Sequence, residues 1–154
     1  MRVVITQCWL IEQFIEGPEF SIEIIVWEGK VNVLTVTDKM TTEAPHFVEL
    51  GHNQPSCFSE ETVALIMDAA VRGVKALGVD KCACHAEVKV QGSKAYLMEI
   101  GARMGGDFIS KVLTRLSTGI DIVAAAIDCA LNIRPDLTPK AAPQGACIRY
   151  FCPK

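Results

Sequence analysis

Short apolar runs and one helically spaced apolar stripe divide the chain into predicted elements. Apolar and alternating runs predict β-strands over 3–15, 20–27 and 31–39. After Ser59, apolar residues recur three and four positions apart until Gly78. This spacing predicts an amphipathic helix with Ser59 as its N-cap and Gly78 at its C-terminal end.

The second half of the chain continues with a hairpin over 85–101, helices over 108–117 and 121–131, and a last strand over 146–151. Residues 40–58 contain two prolines and predict a long irregular loop. Strands and helices do not alternate regularly. We therefore predict a single α+β domain over residues 1–154, with a mainly antiparallel sheet flanked by helices. The chain stops just after a strand, so we expect it to be a piece of a larger protein.

The hairpin His85–Gly106, with the sequence HAEVKVQGSKAYLMEIGARMGG, has one carboxylate in each strand. A three-residue turn at 92–94 would place Glu87 directly opposite Glu99, with Cβ atoms about 5 Å apart. A two-residue turn would send Glu99 to the other face. Alternation favours the shared face, with a buried set formed by Ala86, Val88, Val90, Tyr96, Met98 and Ile100.

Two facing carboxylates repel each other and require a cation or a shared proton. Carboxylate oxygens suit Mg²⁺ or Mn²⁺, and Mg²⁺ usually completes its shell with phosphate and water. The hairpin therefore predicts a metal–nucleotide site at Glu87 and Glu99. The alternative is a solvated strand face that merely has glutamate and lysine side chains.

Composition narrows the functional classes. The net charge of −3 gives no reason to expect nucleic acid or an anionic membrane as a partner. No apolar run reaches the length of a membrane span, and the N-terminus lacks the apolar core of a signal peptide. Seven cysteines, an odd number, predict a reduced, cytoplasmic protein. A zinc site at Cys82 and Cys84 is an alternative, although His85 would point to the opposite strand face.

The hairpin residues resemble the metal-binding hairpin of ATP-grasp enzymes, the superfamily of biotin carboxylase, carbamoyl-phosphate synthase and L-amino acid ligases. The resemblance implies the C-terminal subdomain of that fold, with Glu87 and Glu99 as ligands of Mg²⁺ or Mn²⁺. Arg103 would stabilise charge on an acylphosphate, and His85 would contact substrate or phosphate. Gly101 departs from the asparagine that is common in the family, so a third protein ligand is missing.

Two earlier segments carry further resemblance. Residues 10–24, LIEQFIEGPEFSIEI, resemble the linker strand that holds adenosine. The resemblance places Glu12 and main-chain groups of Gln13, Phe14 and Ile15 beside the adenine, and Glu19 at the ribose hydroxyls. Residues 37–45, TDKMTTEAP, resemble the segment that presents a lysine, here Lys39, to the transferring phosphate.

The resemblance implies an ATP-dependent, ADP-forming ligase that joins a small carboxylate to an amine or a thiol through an acylphosphate. This chain would be the C-terminal half of the module, without the N-terminal substrate domain and the lysine-bearing lid. One alternative is a non-catalytic nucleotide- or metal-binding fragment that needs a partner chain, and another is a carboxylase of the biotin or carbamoyl-phosphate type. A homodimer is possible. His46, Glu49 and His52 are either substrate contacts or solvated loop residues.

Overall fold

The computed structural model of the protein describes Trp9, residues 11–42 and residues 44–151. It contains six strands and a small set of helices. The strands are β1 (Glu19–Trp27), β2 (Lys30–Thr41), β3 (Glu49–Gln54), β4 (Cys82–Gln91), β5 (Lys94–Gly101) and β6 (Ala146–Arg149). The helices are α1 (Glu60–Leu77), a π-helix (Ile109–Thr114), α2 (Arg115–Thr118) and α3 (Ile122–Ala130).

The strands form one sheet in the order β5-β4-β1-β2-β3-β6. All neighbouring pairs in this sheet are antiparallel. The predicted α+β class and the antiparallel sheet are therefore confirmed. No helix in residues 11–42 and 44–151 is both long and apolar enough to span a membrane.

Helix α1 covers one face of the sheet. Ser59 accepts a hydrogen bond from the Thr62 amide at the N-terminus of α1, and Gly78 ends the helix in the left-handed conformation. Both caps agree with the sequence prediction. The apolar core beneath the helix includes Phe20, Ile22, Ile24, Ile66, Ala70, Val74, Ala86 and Val88.

The opposite face of the sheet is only partly covered. Helix α3 packs Ile122, Ala125 and Cys129 against Ile25 and Ala83. The π-helix packs Ile109 and Leu113 against Ala146. The remainder of this face carries polar and charged side chains, and it holds the candidate site.

A buried amide holds the π-helix and α2 onto this second face. Gln54 donates a hydrogen bond to Thr37 Oγ1 at 2.7 Å, and it accepts one from Ser117 Oγ at 2.9 Å. Gln54 also donates to Thr114 Oγ1 at 3.3 Å. These bonds satisfy an amide that is costly to bury unpaired, and they join β2, β3 and the helices.

Two predicted segments differ from the structure. Residues 40–58 are not irregular throughout, because Glu49–Gln54 forms β3 between β2 and β6. The predicted first strand over 3–15 lies partly outside the described residues, and residues 11–15 are not in a strand. The polar sequence of β3, ELGHNQ, has no apolar alternation, which is why periodicity did not reveal it.

Candidate functional site

The candidate site is a row of charged residues on the sheet face opposite α1. Register places Glu23 beside His85 and Ser21 beside Glu87 across the β1–β4 pair. Because alternate residues of a strand share a face, Glu19, Glu23, His85 and Glu87 point to the same side. Lys39 on β2 joins them and lies opposite His52 on β3.

Lys39 is the centre of this row. Its Nζ lies 2.6 Å from Glu19 Oε1, 3.0 Å from Glu49 Oε1 and 3.2 Å from Glu87 Oε1. Its side chain is only 6% exposed. Burial alone would lower the pKa of Lys39, but hydrogen bonds to Glu19 and Glu49 and the charges of Glu19 and Glu87 raise it well above the ordinary value. Lys39 is therefore a fixed positive charge.

His85 links Glu87 to the fully buried Glu23. Its Nδ1 lies 2.5 Å from Glu23 Oε1, and its Nε2 lies 3.5 Å from Glu87 Oε1. Burial would lower the pKa of His85, but the hydrogen bonds to Glu23 and Glu87 outweigh burial and raise it to about 9. The hydrogen bond from His85, aided by the charge of Lys39, lowers the pKa of Glu87 to about 2. At neutral pH, protonated His85 thus lies between Glu23 and the ionised Glu87.

Glu23 was not assigned to the site from the sequence, although it interrupts an otherwise apolar strand. It is 0% exposed, and it accepts hydrogen bonds from Ser110 Oγ and from the Gly105 amide, the latter at 3.2 Å. An ionisable residue inside the apolar run EFSIEIIVW was the available signal. Glu23 ties the sheet to the Gly105 loop and to the π-helix.

Gly105 permits this contact because it has no side chain. A Cβ at this position would lie 2.4 Å from Glu23 Oε1 and 2.6 Å from His85 Nδ1. From the sequence, Gly105 and Gly106 ahead of the predicted helix suit either anion-binding amides or a plain turn. The Gly105 amide already donates to Glu23, so it is part of the buried network.

Replacing Gly105 with alanine should lower the free energy of unfolding by about 1–3 kcal/mol, because the added methyl group separates Glu23 from His85. The pKa of His85, followed by NMR, should fall toward its ordinary value. Gly106→Ala is the matched control, since its Cβ meets nothing within 4 Å. Equal stability of the two variants in denaturant titrations would contradict the packing argument.

The β4–β5 hairpin brings the two predicted carboxylates together, but not in the predicted way. The turn has two residues, because Gln91 pairs with Lys94, and the three-residue turn at 92–94 is wrong. A register shift between Glu87 and Val88 then places Met98 in a bulge, and Glu87 pairs with Glu99. The shorter turn moves the register by one residue and the bulge moves it back, so the two carboxylates still face each other.

The same bulge changes the predicted buried set of β5. Ala95 and Ile100 pack against the core beneath α1. Leu97 also faces this helix, because its methyl groups occupy the space next to Gly73. Tyr96 is paired with Lys89 on the other face, and Met98 is 42% exposed. The prediction that Tyr96 and Met98 are buried with Ile100 is therefore wrong.

Arg103 lies at the edge of the site and is exposed. Its Nη1 donates to the Met104 carbonyl at 3.0 Å. Its side chain folds over Gly101, where an added Cβ would lie 3.0 Å from Arg103 Cγ. The guanidinium is therefore held by a local contact, and among the described residues it forms no ion pair with the carboxylates of the row.

The predicted nucleotide segment lies beside a small cleft. Phe14 and Phe47 have ring centroids 6.2 Å apart, and Lys89 Nζ lies 5.3 Å and 5.5 Å from the two centroids. Lys89 also donates to the Ile15 carbonyl at 3.3 Å, and its Nζ lies 3.8 Å from Glu19 Oε2. Glu12 and Gln13 are exposed.

The cleft has a volume of about 130 Å³ and reaches Lys39. Its lining residues are Gly17, Pro18, Glu19, Lys39, Thr41, Phe47, Glu49 and Lys89. A larger cleft of about 340 Å³ is lined by Trp27, Lys30 and Arg134, and none of the groups of the charged row lines it. The smaller cleft is the better candidate because an aromatic ring, two lysines and two glutamates line it.

A second cluster adjoins the row at Glu49. His52 Nε2 lies 3.6 Å from Glu49 Oε2 and 3.9 Å from Asp107 Oδ2. Burial lowers the pKa of His52, and the hydrogen bond with Glu49 raises the pKa of Asp107. Burial would raise the pKa of Glu49, but hydrogen bonds with Asp107 and Lys39 lower it. Asp107 was not named from the sequence, and His46 is exposed and is not a member of this cluster.

Comparison with known proteins identifies the fold family. The family model described as the ATP-grasp domain matches residues 1–111. The chain belongs to the ATP-grasp family. The family predicted from the hairpin and its neighbouring segments is therefore confirmed.

Three relatives illustrate this ATP-grasp membership. Carnosine synthase 1 of Gallus gallus is 29% identical over 143 residues, which are 93% of this chain and 15% of that protein. Alanine–anticapsin ligase of Bacillus subtilis (strain 168) is 34% identical over 87 residues, covering 56% of this chain and 18% of the ligase. The crystal structure of L-amino acid ligase from Bacillus licheniformis matches with a TM-score of 0.72 and 34% identity, over 80% of this chain and 34% of that one. The chain thus spans less than a fifth of the curated relatives that it matches.

Glu87 and Glu99 suit the divalent cation that ATP-grasp enzymes use. They face each other on adjacent strands, and both are carboxylates, the donors that Mg²⁺ and Mn²⁺ prefer. Glu87 is half-buried and Glu99 is exposed, so the pair opens to solvent, where phosphate and water could complete the shell. Cys82 and Cys84 lie 3.8 Å apart through their Sγ atoms, while His85 points across the sheet to Glu23.

Proposed function

We propose that this chain is the metal- and nucleotide-binding part of an ATP-dependent ligase that joins a small carboxylate to an amine. The observation that carries the proposal is the Glu87–Glu99 pair, which faces solvent beside the buried Lys39 and His85 charges in a chain of the ATP-grasp family. Phosphoryl transfer requires positioning and charge neutralisation, and this row supplies both.

The nucleotide would lie along the cleft between the aromatic pair and Lys39. Glu12 and main-chain groups of Gln13, Phe14 and Ile15 would meet the adenine, and Glu19 would accept hydrogen bonds from the ribose hydroxyls. The Lys89 ammonium already contacts the Ile15 carbonyl and Glu19, so it fixes the geometry of this segment. The lining of the cleft, with Glu19, Lys39 and Lys89, supports the assignment.

Glu87 and Glu99 would hold Mg²⁺ or Mn²⁺, which neutralises phosphate charge when it is bound. Lys39 would contact the transferring phosphate, because three carboxylates keep it protonated and in place. His85 is protonated at neutral pH and would meet phosphate or substrate beside Glu87. Arg103 would leave the Met104 carbonyl to stabilise charge on the acylphosphate.

We further propose an amino acid as the carboxylate substrate and a cytoplasmic location. Two of the relatives are named for ligation of alanine or of L-amino acids, which supports this substrate class. The lysine-bearing lid and the substrate domain would lie in other segments of the whole protein. If no such segment is attached, the chain would only bind nucleotide and metal until a partner chain supplies the lid.

A product screen of the whole protein tests this function. With ATP, Mg²⁺ and pairs of L-amino acids, we expect release of ADP and phosphate that depends on the acid. Release of AMP and pyrophosphate would contradict phosphoryl transfer to the carboxylate. Absence of ADP with every acid would remove the ligase assignment. In that case, binding of a fluorescent ADP analogue would support the binding-only alternative.

A further inference from the structure

His52 has a buried imidazole without a hydrogen-bond partner. The side chain is 0% exposed, and neither Nδ1 nor Nε2 has a partner within the part of the chain that the structure describes. Burying a polar group without a partner destabilises the folded state. A buried imidazole without a partner among the described residues is available to a ligand.

The Nε2 atom of His52 faces two carboxylates. It lies 3.6 Å from Glu49 Oε2 and 3.9 Å from Asp107 Oδ2, and the three ligand atoms lie within 4.8 Å of one another. Ligands bound about 2.1 Å from one ion are themselves about 3.0–3.4 Å apart at adjacent positions, and at most about 4.2 Å. Shifts of a few tenths of an ångström would bring His52 into this range.

The surrounding contacts orient the ligands. Glu49 uses its other oxygen, Oε1, to accept from Lys39 at 3.0 Å, so its Oε2 is left facing His52. The Asp107 carbonyl accepts a hydrogen bond from Tyr150 at 3.0 Å, which holds the backbone there. The Tyr150 ring packs edge-on against His52, with centroids 5.8 Å apart. Negative charge also exceeds positive charge here, since Lys39 already contacts three carboxylates.

We propose that Glu49, His52 and Asp107 form a second cation site that takes a transition-metal dication of the Mn²⁺ or Zn²⁺ class. One imidazole nitrogen with two carboxylates is a donor set that suits such ions better than Mg²⁺, which prefers oxygen alone. The site is separate from the Glu87–Glu99 pair, because Lys39 lies between Glu49 and Glu87. The inference does not rest on the proposed ligase function.

Binding of MnCl₂ alone, without nucleotide, tests this site. In a protein carrying Glu87→Gln and Glu99→Gln, electron paramagnetic resonance should still detect one bound Mn²⁺. Adding His52→Gln should weaken that binding by at least about tenfold. His46→Gln is the matched control because this exposed histidine lies in a loop, and it should leave binding unchanged.

Two further measurements keep the test decisive if His52→Gln fails to fold. Asp107→Asn changes a side chain that is 54% exposed, and it should also weaken Mn²⁺ binding. Electron spin-echo modulation from a histidine nitrogen should appear in the unaltered protein with Mn²⁺ bound. Absence of this signal, or loss of all Mn²⁺ binding in the Glu87→Gln and Glu99→Gln protein, would overturn the site. Binding of methylammonium in place of Mn²⁺ would also overturn it.

Discussion

Glu99→Gln should reduce the ADP release of the whole protein by about 10²–10³-fold, because one of two facing metal-binding carboxylates becomes neutral. Metal ions stabilise phosphoryl transfer by several kcal/mol, and each 1.4 kcal/mol corresponds to about a factor of ten in rate. Glu99 is exposed and pairs only across the hairpin, so the fold should be retained. The measurement is initial ADP release at saturating ATP, with circular dichroism to verify folding.

The Mg²⁺ dependence separates a metal-binding role from a structural one. If Glu99 binds the ion, the Mg²⁺ concentration for half-maximal rate should rise in the variant, and excess Mg²⁺ should restore part of the activity. Glu28→Gln, an exposed glutamate in the turn after β1, is the matched control and should change neither quantity. Unchanged turnover by the Glu99 variant would remove the metal–nucleotide assignment of the hairpin.

Lys39→Met should lower the free energy of unfolding by about 3–5 kcal/mol, the usual cost of removing one partner from a buried ion pair. Methionine keeps the length of the side chain but leaves Glu19, Glu49 and Glu87 without the ammonium that they share. The loss should be smaller at pH 4 than at pH 7, because the unpaired carboxylates of the variant take up protons as the pH falls. Urea titrations of both proteins at pH 4 and pH 7 measure this loss of the free energy of unfolding.

Lys94→Met is the matched control, because it removes the same charge from an exposed lysine. Lys94 lies at the start of β5 and is exposed, so its replacement should change stability by less than about 0.5 kcal/mol. A loss of similar size in both variants, or no dependence on pH for the Lys39 variant, would show that the carboxylates do not depend on this lysine.

The sequence was sufficient where apolar spacing and local capping decide the structure. The first two long strands follow from dense β-branched runs, and α1 follows from its apolar stripe with Ser59 and Gly78 at its ends. Part of the charged row could also be predicted from the sequence. Lys39, His85, Glu87 and Glu99 were all named from the sequence and its family resemblance, and the structure places Glu87 within 3.5 Å of both Lys39 and His85.

Elements stabilised by buried polar groups could not be predicted in this way. Strand β3 buries His52 and Gln54, so its polar sequence was interpreted as a loop. Asp107 was missed because its relation to Glu49 depends on how the Gly105 loop returns to the sheet. Glu23 is anchored by Ser110, 87 positions later in the chain, a contact that no local pattern reveals. The roles of the named residues in binding and chemistry stay predictions.

The bulge at Met98 also determines where the hairpin tolerates the loss or gain of one residue. With the two-residue turn in place, Met98 is the extra residue of β5, since Val88 pairs with Leu97 and Glu87 pairs with Glu99 on either side of it. Removing it would straighten the ladder and still leave the two glutamates opposite each other. The hairpin therefore has one position at which a deletion preserves the spacing of the carboxylates, and an insertion beside it could be absorbed as a larger bulge.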